Sequence, residues 1–454
     1  MPWTQKEDYW EAPLDVHEQF FNQIKNLTIP TGRENWMILL SAELSFPPEF
    51  DLTSQLRKAW KAIRFRHPGI ASEIDPSGQN KRYYPIRDER ALEYWAATTF
   101  LVVEDIPSAY ELLHGGIVRI APPQATCYWI PKSNELALLS SHWRWDAHGS
   151  LWLMHDLLSE LASPSPVFTF TGQEARNLAP SLDEVVGMPE MEDWDPNWEV
   201  QAAALHADAV TSDGTPAFTM REYPQMSPGN TARSEIVFSV AETSAVLAVI
   251  RARGLTVTPV INASVIEEAV CWNPKSDASR FISYGIFDLR KYCPPPSNGS
   301  TEAVSHRVLG LPLNVPTRAS WVELVRILKE YYGRSWTDES DALFVRRVFV
   351  EQVLRKMEDP GVQHPVVSEP YFNSLGVVEG YLGHRYGDVE VKSVGFNDTN
   401  ITAALVIHCF TWRGKLHLSL GYNEVFHEAG FVEEYLLAVK NNVFANLGLT
   451  ISEH

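Results

Sequence analysis

Apolar residues recur along this chain in two spacings, and the alternation between them lays out the elements. Over residues 51–65, Leu56, Trp60 and Ile63 share one helical face, while Arg57, Lys58, Lys61 and Arg64 lie largely on the others. That pattern predicts a helix with one buried side. Residues 117–120 and 126–130 have strand character. The run 135–141, ELALLSS, has the short apolar character of a buried strand, and 149–158, GSLWLMHDLL, reads as an amphipathic helix. A histidine, His142, stands where the strand breaks, and a carboxylate, Asp146, follows four residues on.

The later sequence predicts a second set of elements. A strand at 235–240 leads to a helix that Thr243 or Ser244 caps and Gly254 closes. Pro259 suits the first turn of a helix running to about Cys271. Strands are expected at 281–287 and 390–394, with a hairpin over 401–422 turning at Arg413-Gly414. Helices are expected at about 321–332 and 342–357. A last helix, 430–447, would face Phe431, Tyr435, Leu436, Val439 and Val443 inward. Helices mixed with antiparallel strands throughout predict an α+β fold. The expected division is into halves at 1–217 and 218–454, with 168–217 as an irregular connector containing the acidic PEMEDWDP stretch at 189–196.

Composition narrows the function. The 454 residues carry 38 Lys and Arg against 57 Asp and Glu, a net charge of −19, which argues against nucleic acid or an anionic membrane as the main partner. No apolar run approaches the ~18 residues of a membrane span, and the polar N-terminus MPWTQKEDYW lacks the apolar segment of a secretion signal. The four cysteines lie far apart with no CxxC pair, so neither a disulfide framework nor a CxxC metal site is implied, and a reduced, cytoplasmic setting is expected. The P-loop, dinucleotide, zincin and nucleophile-elbow motifs are missing from the sequence.

The His142-x-x-x-Asp146 pattern between strand and helix resembles the CoA-dependent acyltransferase superfamily, which includes chloramphenicol acetyltransferase, the plant BAHD enzymes and peptide-synthetase condensation domains. Residues 57–68, RKAWKAIRFRHP, look like the early condensation-domain helix ending in Arg-His-Pro. Residues 254–270 look like the helix opening the second half of that fold. Ile286-Phe287-Asp288-Leu289-Arg290 is similar to its Asp-Leu-Arg strand, and 418–423, LSLGYN, to its Tyr-Asn strand. Residues 371–382, YFNSLGVVEGYL, look most like fungal enzymes of the trichothecene 15-O-acetyltransferase type. Ala147 stands where the family has Gly, and Ser141 where condensation domains have a first His.

The resemblance implies two chloramphenicol-acetyltransferase-like α/β sandwich halves with a tunnel between them, and transfer of an acetyl or other short acyl group from acyl-CoA to a hydroxyl of a secondary metabolite. Such a transfer needs a base for the acceptor, a site for the oxyanion and a proton for the leaving thiolate. One neutral histidine can serve first and last, with no metal, and His142 is that residue. His148 is the rival, with a solvent-facing or capping role expected for it. Residues four apart meet only on a helix, so Asp146 is poorly placed to touch His142; the resemblance pairs it instead with Arg290. Trp143 and Trp145 either line the acceptor's path or fill the core. Ser374, in Asn373-Ser374-Leu375-Gly376, is the oxyanion candidate, and Lys275 and Arg280 are the candidates for the CoA phosphates. The expected partners are acyl-CoA and a small-molecule acceptor, bound by a monomer. Two other readings keep the fold: a carrier-dependent condensing enzyme or polyketide cyclase working without CoA, and a non-catalytic small-molecule-binding protein.

Overall fold

A computed structural model describes residues 2–166, 168–209, 215–216, 218, 227–273, 277–334, 342–359 and 368–450. The chain forms two compact units: Met1–Asp193 with Asp288–Val308 and Glu379–Thr399, and Trp194–Phe287 with Leu309–Val378 and Asn400–His454. This partition differs from a single cut at 217. The first long segment ends earlier, and two later segments return to the first unit. Strand pairing explains one return, since Val389–Asp398 runs antiparallel to Met37–Ser45. Buried polar contacts around Asp146 explain the other.

The first unit is built on a six-stranded sheet in the order Arg385–Tyr386, Val389–Asp398, Met37–Ser45, Glu135–Ser141, Thr126–Ile130, Phe100–Val102. The strand before His142 is therefore interior, in register with Met37–Ser45 through pairs such as Leu39↔Leu139. Six of its seven residues are buried, as a strand covered on both faces requires. The helix Leu52–Arg66 is capped by the Asp51 carboxylate, which accepts from Ser54 N–H at 3.2 Å, and its Leu56, Trp60 and Ile63 are all buried. Pro68 disfavours helical backbone at the residue before it, and the helix ends there. His67 Nε2 then meets Asp156 Oδ2 at 2.7 Å, and Arg66 meets Glu160 at 2.5 Å. Both partners lie on the helix Ala147–Ala162, so the Arg-His-Pro element braces the helix that follows His142.

The second unit carries a sheet in the order Val308–Pro316, Arg280–Asp288, Pro370–Val377, Leu405–Trp412, Lys415–Asn423, Thr231–Val237. Pro370–Val377 runs parallel to both neighbours, and the following pairs are antiparallel. The hairpin turns at Arg413 and Gly414, both with positive φ (50° and 71°), the conformation that favours Gly in tight hairpins. Asn423 is fully buried: its Oδ1 accepts from Gly229 N–H at 3.0 Å, and its Nδ2 donates to the Gly229 and Asn400 carbonyls. That gives the Tyr-Asn strand a structural use.

Three local expectations need correction. Residues 117–120 form no strand, and Ile117 and Ile120 are exposed. The helix Val240–Ala252 is capped not by Thr243 or Ser244 but by Ser239, in a reciprocal box with Glu242. The stretch 168–217 is not wholly irregular, because Asp195 caps a helix, Pro196–Asp208, with proline in its first turn.

Candidate functional site

The site begins at a helix that the periodicity left unassigned. Asp15 accepts from His17 and Glu18 N–H groups at 2.9 Å, and Glu18 reaches back to Asp15 N–H, a capping box that starts the helix Val16–Thr28. This helix presents His17 and Phe21 towards the end of the strand Glu135–Ser141. The Phe21 ring stacks on the His142 ring, with centroids 3.8 Å apart and planes at 17°.

After Ser141 the backbone leaves the sheet, turns, and re-enters regular structure at Asp146, the N-cap of Ala147–Ala162. Ala147 has no positive φ, so the methyl in place of the family's Gly causes no backbone strain. The glycine that matters is Gly149. A Cβ there would lie 2.4 Å from the Ala303 carbonyl oxygen, so only glycine allows this close approach.

Both Asp146 oxygens are committed. Oδ1 accepts from Gly149 N–H at 2.8 Å and lies 2.9 Å from Arg290 Nη2, an ion pair whose N–H is not aligned for a hydrogen bond. Oδ2 accepts from Arg307 N–H at 2.8 Å. Burial raises the Asp146 carboxyl, but Arg290, His306 and His148 outweigh it and hold the group below the usual carboxylate range. No hydrogen bond joins Asp146 to His142 among the described residues. The expected Asp146–Arg290 pair is present, and Arg290 belongs to the same compact unit. Arg290 also binds Asp288 through its backbone N–H at 3.0 Å and Nη1 at 3.3 Å.

His142 keeps part of its surface accessible, yet its ring is packed deeply enough that burial lowers its pKa to about 4. Its own carbonyl, Asp146, Asp398 and the Trp145 carbonyl oppose that shift without cancelling it. The imidazole is therefore neutral at physiological pH, the form a general base needs. Its Nδ1 lies 3.2 Å from Nε2 of His306, a fully buried residue whose own Nδ1 has no partner among the described residues. An unsatisfied buried polar atom costs about 1–3 kcal/mol, so such a residue calls for an explanation.

The other candidates divide. His148 is buried rather than solvent-facing: its Nδ1 lies 3.3 Å from Asp288 Oδ2 and its ring stacks on Tyr381. Trp143 and Trp145 are both buried, and Trp143 lies against the Arg144 guanidinium at 4.4 Å. Arg144 is itself buried and donates to the Ser72 and Pro123 carbonyls, so this part of the motif packs the core. In the second unit, Ser374 sits on the strand Pro370–Val377, beside a bulge before Gly376, and its Oγ is 2.9 Å from Thr258 Oγ1. Arg280 donates through Nε and Nη2 to Asn314, at 2.5 and 3.0 Å. Lys275 lies outside the described residues. Among the described residues no group of three or more His, Cys, Asp or Glu is arranged to hold a metal ion.

His17, Phe21 and His306 were not singled out from the sequence. The capping box Asp15-x-x-Glu18 could have revealed the helix carrying the first two; His306 has no local signal.

No family model matches the chain. It is 30% identical to O-acetyltransferase pigM of Monascus ruber, over 97% of this chain and 86% of that one, and 28% identical to acetyltransferase pigO of the same organism, over 99% of each. More distant relatives carry other names; one, 24% identical over 98% of this chain and 97% of its own length, is the loline biosynthesis cluster 1 transcription factor lolU1 of Epichloe uncinata. The fold matches that of the TRI3 trichothecene 15-O-acetyltransferase from Fusarium sporotrichioides, with a TM-score of 0.82 at 16% identity over 98% of this chain and 97% of the other. It also matches the first condensation domain of the calcium-dependent antibiotic synthetase, with a TM-score of 0.66 at 14% identity over 95% of each.

Proposed function

The chain belongs to the CoA-dependent acyltransferase superfamily, alongside its fungal O-acetyltransferase relatives, and on that footing we propose that it moves an acetyl group from acetyl-CoA to a hydroxyl of a small secondary metabolite. His142 is the general base. Its Nε2 takes the hydroxyl proton as the oxygen attacks the thioester carbonyl. The tetrahedral oxyanion then collapses, the C–S bond breaks, and the proton on His142 passes to the departing thiolate, leaving ester and free CoA. The single observation that carries this reading is the place of His142, at the broken end of an interior strand with part of its surface accessible.

Asp146 takes no proton in this scheme; with Arg290 it fixes the turn that carries His142. The same reading has the enzyme working as a cytoplasmic monomer. The test is incubation with acetyl-CoA and an extract of the native host, followed by mass spectrometry and a free-thiol assay. One acetylated product with equimolar free CoA is expected. Saturating acetyl-CoA without acetylated product or CoA release would overturn the proposal and favour a carrier-dependent or cyclising reaction.

A further inference from the structure

We propose that His306 is a positioning residue that holds His142 in the tautomer whose Nε2 is unprotonated; this rests on His142 being the base. A base that takes the hydroxyl proton on Nε2 carries its own proton on Nδ1. Nδ1 is the atom 3.2 Å from His306 Nε2. His306 must then accept through Nε2, and its own proton lies on Nδ1. Fixing the tautomer through the nitrogen not used in the chemistry is a general device for histidine bases. Here a neutral imidazole fills the place that a carboxylate fills in a triad.

Three features hold His306 ready to accept. Phe21 lies against both rings, at 3.8 Å from His142 and 4.6 Å from His306. The next residue, Arg307, is anchored by its N–H on Asp146 Oδ2, while its guanidinium holds Glu302 and the Pro180 carbonyl at 2.9 Å. The motif carboxylate thus reaches His142 indirectly, through the backbone that carries His306. Burial first, and His142 and His17 next, lower the His306 pKa well below the ordinary value, against Asp146 and Asp15. His306 therefore stays neutral and keeps the lone pair. As His142 gains its second proton, the Nδ1–H to His306 bond becomes charge-assisted and strengthens.

His306→Leu removes the acceptor, whereas His306→Gln offers an amide oxygen near the position of Nε2. His306→Leu should lower kcat about tenfold to hundredfold, the usual loss when an orienting partner is removed. KM for acetyl-CoA should stay within about twofold, and His306→Gln should recover most of the rate. Nitrogen-15 NMR of the imidazoles should find His142 protonated at Nδ1 in the wild type and mixed between tautomers in His306→Leu. Wild-type kcat in a folded His306→Leu variant would overturn the proposal. So would equal losses in both variants, or a wild-type His142 protonated at Nε2, a readout that requires no variant to fold. His142→Ala, assayed beside them, separates the two claims: an active His142→Ala removes the base, while an inactive His142→Ala with a fully active His306→Leu removes only the role of His306.

Discussion

Arg290→Met cuts the central ion pair and leaves the Asp146 carboxylate, 1% exposed, with only the Gly149 and Arg307 N–H groups for support. Removing one partner of a buried pair costs about 3–5 kcal/mol, because a charge remains where water cannot reach it. Both N–H bonds survive the substitution, and Asp288, the other partner lost, is a quarter exposed, so the lower end, about 3 kcal/mol, is expected. Asp146→Asn leaves the Arg290 guanidinium with Asp288 as its remaining carboxylate partner and turns an amide donor towards Arg307 N–H or Arg290, a loss of about 3 kcal/mol. The double variant strands neither charge and should cost about as much as one single variant, a coupling of about 3 kcal/mol. At roughly 2–4 °C per kcal/mol, each single variant should melt about 6–12 °C below wild type and the double variant within a few degrees of either. Thermal and urea unfolding measure these values, with acetyl transfer assayed on the same samples. The sign with pH is fixed: Arg290 helps hold the Asp146 carboxyl below its ordinary value near 3.8, so the pair's contribution is complete above that value and disappears as pH falls below it. The gap between wild type and Arg290→Met should therefore narrow in acid. Additive losses in the double variant would refute the pairing argument.

Because burial lowers the His142 pKa to about 4, the free base persists in mild acid. The acid limb of kcat/KM should fall near that value rather than near 6.5, and a limb centred at 6.5 would contradict the account. The same depression contributes stability that is complete above the unfolded value near 6.5 and is lost as pH falls towards about 4, so urea midpoints of wild type should drop over that window relative to His142→Phe. Gly149→Ala should cost about 1–3 kcal/mol, with kcat falling alongside Tm, because its methyl would meet the Ala303 carbonyl, a backbone atom that can yield only if its segment shifts. An unchanged Tm would show that segment to be loosely held.

What the sequence revealed was mainly local. The helix Leu52–Arg66 and the Arg413-Gly414 hairpin announce themselves through periodicity and turn chemistry, and the interior strand before His142 through its unbroken apolar run. The strand character at 117–120 misled, because apolar residues in a short irregular segment can stay exposed, as Ile117 and Ile120 do. Ser239 with Glu242, Asp15 with Glu18, and Asp195 before Pro196 are end signals that were present but unread. Arg290 could be matched to Asp146 only through resemblance, since nothing local joins residues so far apart. His306 was beyond local reasoning altogether: its meeting with His142 depends on Asp146 drawing the backbone of Arg307 into the first unit.

The central claim rests on one imidazole. Turnover of His142→Ala with acetyl-CoA and the identified acceptor, in a protein shown by thermal unfolding to be folded, tests it most directly. The account predicts a fall in kcat of roughly 10²- to 10⁴-fold with acetyl-CoA binding retained, the worth of a positioned general base. Turnover near the wild-type rate would contradict it.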